Sequence, residues 1–153
     1  MTSDSGLASQ DTDYVRHIQA VLDELQQMQQ PPRLVTSPEE LEALERHIRQ
    51  GTDRLGSLLV GYHLQQALDS PALQAEQDLL VSHWPKPLKS DGKVQVRIRT
   101  AQGHTVAVWT TYYRRKGQRG AGKRYRGVYA GLTLLGIYDR CTPALAAEVS
   151  LLA

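Results

Sequence analysis

Phenylalanine is absent from this chain of 153 residues, and aromatic residues make up only 6% of it. Leu, Val, Tyr and the two tryptophans must therefore fill the core. Cysteine occurs once, at Cys141. That excludes an intramolecular disulfide and a multi-cysteine zinc site, and it fits a reducing compartment. No apolar run approaches the roughly 20 residues that a spanning helix needs. Residues 1–10 are small, polar and acidic, without the basic and apolar regions of a signal peptide, so they read as a disordered start. A cytoplasmic chain with no membrane segment is the expectation. A length of 153 residues suits one domain, or a domain with a helical arm.

Acidic charge is scarce from Asp91 onward. Up to Ser90 there are 7 Lys/Arg against 13 Asp/Glu, a net −6; from Asp91 onward there are 11 against 3, a net +8. The near-neutral total of +2 therefore hides a dipolar chain. The positive charge is densest in residues 112–126, which hold seven Lys/Arg, three tyrosines and no acid. Guanidinium groups bind phosphate bidentately and keep their charge. Tyrosines can stack on unpaired bases, and glycines let the backbone follow a phosphate chain. Arg114, Arg115, Lys116, Arg119, Lys123, Arg124 and Arg126 with Tyr113 and Tyr125 are the candidate nucleic-acid contacts, joined by Arg97 and Arg99 just upstream. Such contacts position a nucleic acid without specifying its sequence.

Residues 11–84 read as helical. Asp11 or Asp13 can cap a helix to about Gln30, with Val15, Ile18, Leu22, Leu25 and Met28 as its apolar stripe. Pro31-Pro32 stops it. Ser37-Pro38-Glu39-Glu40 starts a second helix by a capping box, with apolar residues from Leu41 to Tyr62. Gly51, Gly56 and Gly61 weaken it by up to about 1 kcal/mol each and favour a slight bend. Asp69-Ser70-Pro71 restarts the pattern, and Trp84-Pro85 ends it.

In residues 93–153 the period changes from 3.6 to 2. Val94, Val96 and Ile98 alternate with Gln95, Arg97 and Arg99, and Val106 and Val108 alternate with Ala107 and Trp109 around a turn at 100–103. This predicts a β-hairpin with one buried face, the arginines on the other. On the same alternation, one of Tyr112 and Tyr113 belongs to the buried face and the other points away. The basic segment then reads as a glycine-broken loop. A short apolar stretch, Leu132 to Ile137, precedes a helix capped by Thr142-Pro143, which is still apolar where the chain stops and so suggests a truncated product. The expected fold class is α+β: a helical N-terminal half, a hairpin or small antiparallel sheet, and a short C-terminal helix.

No catalytic or metal site is expected, and no cofactor. The five histidines show no ligand spacing. Cys141, beside Arg140, reads as an ordinary half-buried thiol. Asp139, the one acid near the basic segment, reads as an ion-pair partner for an arginine. Residues 117–122 lack the Ser/Thr and the strand–helix frame of a phosphate loop.

Four runs carry a family resemblance: Val94-Gln95-Val96-Arg97, Val106 to Tyr113, Gly131-Leu132-Thr133-Leu134-Leu135-Gly136-Ile137, and Cys141-Thr142-Pro143-Ala144 to Ser150. Together they resemble the N-terminal part of transposases of the Kra-type insertion-sequence family. The resemblance covers about 40% of the chain, with the last two runs the most specific. It implies a DNA-binding front end of an enzyme used in DNA recombination by mobile elements, with the metal-dependent nuclease domain elsewhere and no catalytic residue to carry over. Members of such families often place a cysteine-paired zinc ribbon after the hairpin; Arg114-Arg115-Lys116-Gly117 stands there instead. The implied partners are duplex DNA, a separately encoded catalytic half and a second copy of the chain. The competing reading is a helical interaction or dimerisation module with an incidental basic loop; RNA binding is a third.

Overall fold

The computed structural model describes residues 4–29, 34–116 and 127–152, with the side chains of 4–12 left aside. The element order is α1 (Asp4–Gln27), α2 (Pro38–Asp69), α3 (Pro71–Ser82), β1 (Leu88–Arg99), β2 (Thr105–Arg115), α4 (Ala130–Leu134) and α5 (Pro143–Leu152). The fold is α+β, with a helical N-terminal half and one two-stranded antiparallel sheet.

Local chemistry sets the helix boundaries. Ser37 caps α2 by accepting from the Glu40 N–H at 3.1 Å, and Pro38 occupies the first turn, where its missing N–H costs nothing. Glu40 closes the box one residue further back than the usual pattern: its carboxylate accepts from the Thr36 N–H at 2.9 Å and from the Thr36 hydroxyl at 3.1 Å. Those bonds, the backbone one first, hold the Glu40 carboxyl below its ordinary value. Ser70 serves two helices. Its N–H donates to Ala67 O at the end of α2, and its hydroxyl accepts from Leu73 N–H at the start of α3.

α1 and α2 form an antiparallel pair. Leu25 of α1 lies on Gly51, where a Cβ would come within 2.8 Å of Leu25 Cδ2. Tyr14 lies on Gly61, where a Cβ would come within 2.7 Å of Tyr14 Cε1. Gly51 and Gly61 are points of close helix approach, the alternative that small residues at this spacing offer beside a slight bend. The α1 seam also differs from the expected stripe. Val21 is buried and Tyr14, Ile18, Leu25 and Met28 are half-buried, whereas Val15 and Leu22 are 54% and 37% exposed. The two stripes lie one residue, or about 100°, apart. Seating Tyr14 between Gly61 and β2 selects 14 and 21 over 15 and 22.

The main core lies on one face of the hairpin. Val96, Ile98, Val106 and Val108 pack with Leu68 of α2, Leu132 of α4 and Ile137. The turn is held by Thr100, which is buried and shares a 2.7 Å hydrogen bond with Ser57 of α2. Both strands run longer than their apolar alternation. β2 includes Tyr112 to Arg115, so the basic segment begins inside the sheet and not after it. This is because Leu88, Lys89 and Ser90 pair across from Arg115, Arg114 and Tyr113, beyond a bulge in β1 at Asp91 and Gly92. Gly92 takes φ +85 there, a conformation that favours glycine.

Candidate nucleic-acid interface

The register sorts the strand residues into two faces. Opposite the core face, β1 presents Lys93, Gln95, Arg97 and Arg99, all exposed, across from Thr111, Trp109, Ala107 and Thr105 of β2. Alternate residues of a strand lie about 6.7 Å apart, so Arg97 and Arg99 form a short row of fixed positive charge. Neither arginine is in an ion pair among the described residues. Lys93 is partly engaged, with its Nζ 3.5 Å from Asp69 Oδ1.

At the far end of the hairpin, Arg115 and Lys116 are exposed, and the Lys116 N–H donates to Pro87 O at 2.9 Å. Two expected contacts are otherwise employed. Tyr113 is only 8% exposed; its hydroxyl accepts from Gln77 Nε2 at 2.8 Å, and its backbone pairs with Val128. A ring so placed cannot stack on a base. Tyr112 does not point away either: its ring tilts against Tyr129 at 5.1 Å, and its hydroxyl accepts from the Gly127 N–H at 2.7 Å. Arg114 pairs with Asp91 at 2.8 Å, both side chains about one-third exposed, and so ties β2 to the bulge of β1. Asp91 is thus the acid of Arg114; Asp139, which sits at φ 53 in a left-handed turn, is in no ion pair with a described arginine. Arg119, Lys123, Arg124, Tyr125 and Arg126 lie outside the described residues.

What rigidifies this face is polar and was invisible in the sequence. The edge of β2 away from β1 is covered by side chains in place of a third strand. Gln65 of α2, fully buried, donates from Nε2 to Trp109 O at 3.0 Å and accepts from Trp109 N–H at 2.7 Å. The same Nε2 lies 3.2 Å from Asp69 Oδ2. The Tyr14 hydroxyl donates to Ala107 O, and burial pushes its pKa up from 10.0 to about 12. Three backbone groups of this edge, the N–H and C=O of Trp109 and the C=O of Ala107, are thereby kept from templating aggregation. On β1 the outer edge is closed near its end, where Arg99 N–H donates to Arg140 O at 2.8 Å and Arg99 O accepts from Thr142 N–H at 3.0 Å. Beside Cys141 in that turn, the Sγ is 3.5 Å from Asp139 O.

Compared with protein-family models, curated proteins and solved structures, the chain matches none. The resemblance to Kra-type transposases thus stands on the residue runs alone. Among the described residues, no three His, Cys, Asp or Glu side chains come together as a metal-holding group, and no helix is long and apolar enough to cross a membrane.

Proposed function

We propose that this chain is a DNA-binding module of transposase type, which grips the phosphate backbone. The observation that carries the reading is the exposed pair Arg97 and Arg99 on one face of β1, free of ion pairs among the described residues and set in the stretch from Asp91 onward with net +8. Arg115 and Lys116 add two exposed cations, and the sequence that follows them, 117–126, carries four more Lys/Arg and no acid. Phosphate contact is a matter of charge and geometry, and both are supplied by arginines on a rigid strand. On this reading the chain works in the cytoplasm.

The test is Arg97→Ala with Arg99→Ala. Each lost phosphate contact should weaken DNA binding evenly across sequences and reduce the slope of log K against log salt by about 1. An unchanged slope in the double variant would sink the reading.

A second reading has its own observation. At the start of α2, Leu41, Leu44 and Ile48 are 47%, 36% and 42% exposed, beside Leu34 at 86% and Val35 at 41%. Leu41, Leu44 and Ile48 continue the spacing that packs α2 on α1, which supports a helical interaction module. Leu41→Glu with Leu44→Glu, followed by sedimentation, separates the two: a lower mass with unaltered DNA affinity favours the interaction module.

A further inference from the structure

Between α1, α2 and the outer face of the hairpin lies an open cleft of about 260 Å³, and no role has yet been given to it. Its wall from the sheet includes Trp109, Ala107 and Gln95; its wall from the helices includes Asp13, His17 and Leu58. We propose that this cleft receives one unpaired nucleobase bearing an exocyclic amino group, with Trp109 as the platform on which it stacks. The inference rests on the DNA-binding reading and deepens it.

Size and composition come first. The volume is just under the range of about 300–1000 Å³ typical of drug-sized pockets, and so suits a single ring system. Trp109, Ala107 and Leu58 offer apolar surface to a planar ligand. Asp13, His17 and Gln95 supply polar groups around it. A base stacked within a duplex cannot present itself to such a cleft; an unpaired one can.

Position comes next. Gln95 is the cross-strand partner of Trp109, and Arg97 is the partner of Ala107. Arg97 therefore follows the cleft wall by one alternate-residue step of about 6.7 Å. A nucleotide whose base enters the cleft has its phosphate beside Arg97, and the next phosphate falls toward Arg99. The platform is preorganised, because Gln65 holds both backbone groups of Trp109 and Tyr14 holds the carbonyl of Ala107.

The polar groups then select among bases. The Asp13 carboxylate accepts hydrogen bonds only and repels phosphate, so it rewards an amino donor. Its Arg16 neighbour, at 3.7 Å with both side chains well exposed, is a weak competitor. Adenine, cytosine and guanine carry an exocyclic amino group; thymine and uracil do not. His17 is one turn along the same helix and lines the same cleft.

The experiment uses the full chain carrying Trp84→Phe, so that Trp109 is the sole tryptophan. Short single-stranded oligo(dA) and oligo(dT) are titrated while indole fluorescence and oligonucleotide anisotropy are followed. Oligo(dA) should quench Trp109 and bind more tightly than oligo(dT), and Asp13→Asn should narrow that preference. Trp109→Ala should weaken oligo(dA) binding about 5- to 150-fold, the loss expected for one stacked base, with the salt slope unchanged. Because alanine there could loosen the sheet, quenching in the Trp84→Phe chain reads the same contact with the cleft intact. Salt-dependent binding without quenching, and with equal affinity for the two oligomers, overturns the cleft assignment and leaves the phosphate reading standing. Absence of binding to single strands and duplex alike overturns both.

Discussion

Gln65→Leu tests the clamp on which the proposed interface is built. Leucine keeps most of the buried volume and removes every hydrogen bond. In the folded protein Gln65 is 0% exposed and bonds both the N–H and the C=O of Trp109, at 2.7 and 3.0 Å. Each of those backbone groups, if left without a partner away from water, costs about 1–3 kcal/mol. Trp109 is only half-buried, and water entering from the cleft relieves part of that cost. The expected loss is therefore about 2–4 kcal/mol, a large share of the roughly 5–15 kcal/mol that stabilises a domain. Asp69 also loses its 3.2 Å contact with Gln65 but keeps Lys93. Urea unfolding followed by circular dichroism should show a lower midpoint with an unchanged slope. In a melt the fall should be about 5–15 °C. The neighbouring Gln66 provides the control: it bonds the Tyr62 hydroxyl at 2.7 Å in an exposed position. Gln66→Leu should stay within about 0.5 kcal/mol of the parent. A Gln65→Leu variant as stable as Gln66→Leu would refute the clamp.

The α1–α2 seam and the Tyr14 contact give two further tests. Gly61→Ala would add about 1 kcal/mol of stability in a free helix, but here the new Cβ meets the Tyr14 ring at 2.7 Å. The sign should reverse to a net loss on the order of 1 kcal/mol; a gain in the urea midpoint would show that the helices do not approach at this point. Tyr14 sets a pH limit. Its pKa of about 12 in the folded state exceeds the ordinary 10.0, so the folded chain binds that proton more tightly than the unfolded one. The contribution is whole below pH 10 and lost as pH rises toward 12. Midpoints measured across that interval should fall less steeply for Tyr14→Phe than for the parent; parallel curves would show that the phenol is not buried against β2.

Much of the fold was legible because it is written in neighbouring residues. Ser37-Pro38-Glu40 and Ser70-Pro71 place the starts of α2 and α3 by capping and by proline's missing N–H, both local effects. The change of period after Trp84 placed the hairpin and its buried face. What was illegible depends on docking. Gln65 stands beside another glutamine and reads as solvent-facing until β2 is laid against it. Val15 and Leu22 look as good as Tyr14 and Val21 until Gly61 selects one face. The basic segment was read by composition, which counted charges without asking which were already paired. Arg114 was spent on Asp91, an acid placed opposite it only by the bulge, and Tyr113 was spent on Gln77 of a distant helix. Trp109 does not stand out in the sequence, because an alternating strand residue gives no sign that two helices will wall a cleft beside it.

The central claim, that the chain grips nucleic acid through exposed arginines and lysines, is tested most directly by the salt dependence of its binding. With Arg97, Arg99, Arg115 and Lys116 as phosphate contacts, log K against log salt should slope at about −3.5 or more steeply on duplex DNA, and about −3 on a single strand. A slope shallower than about −1 for the unaltered chain would contradict it.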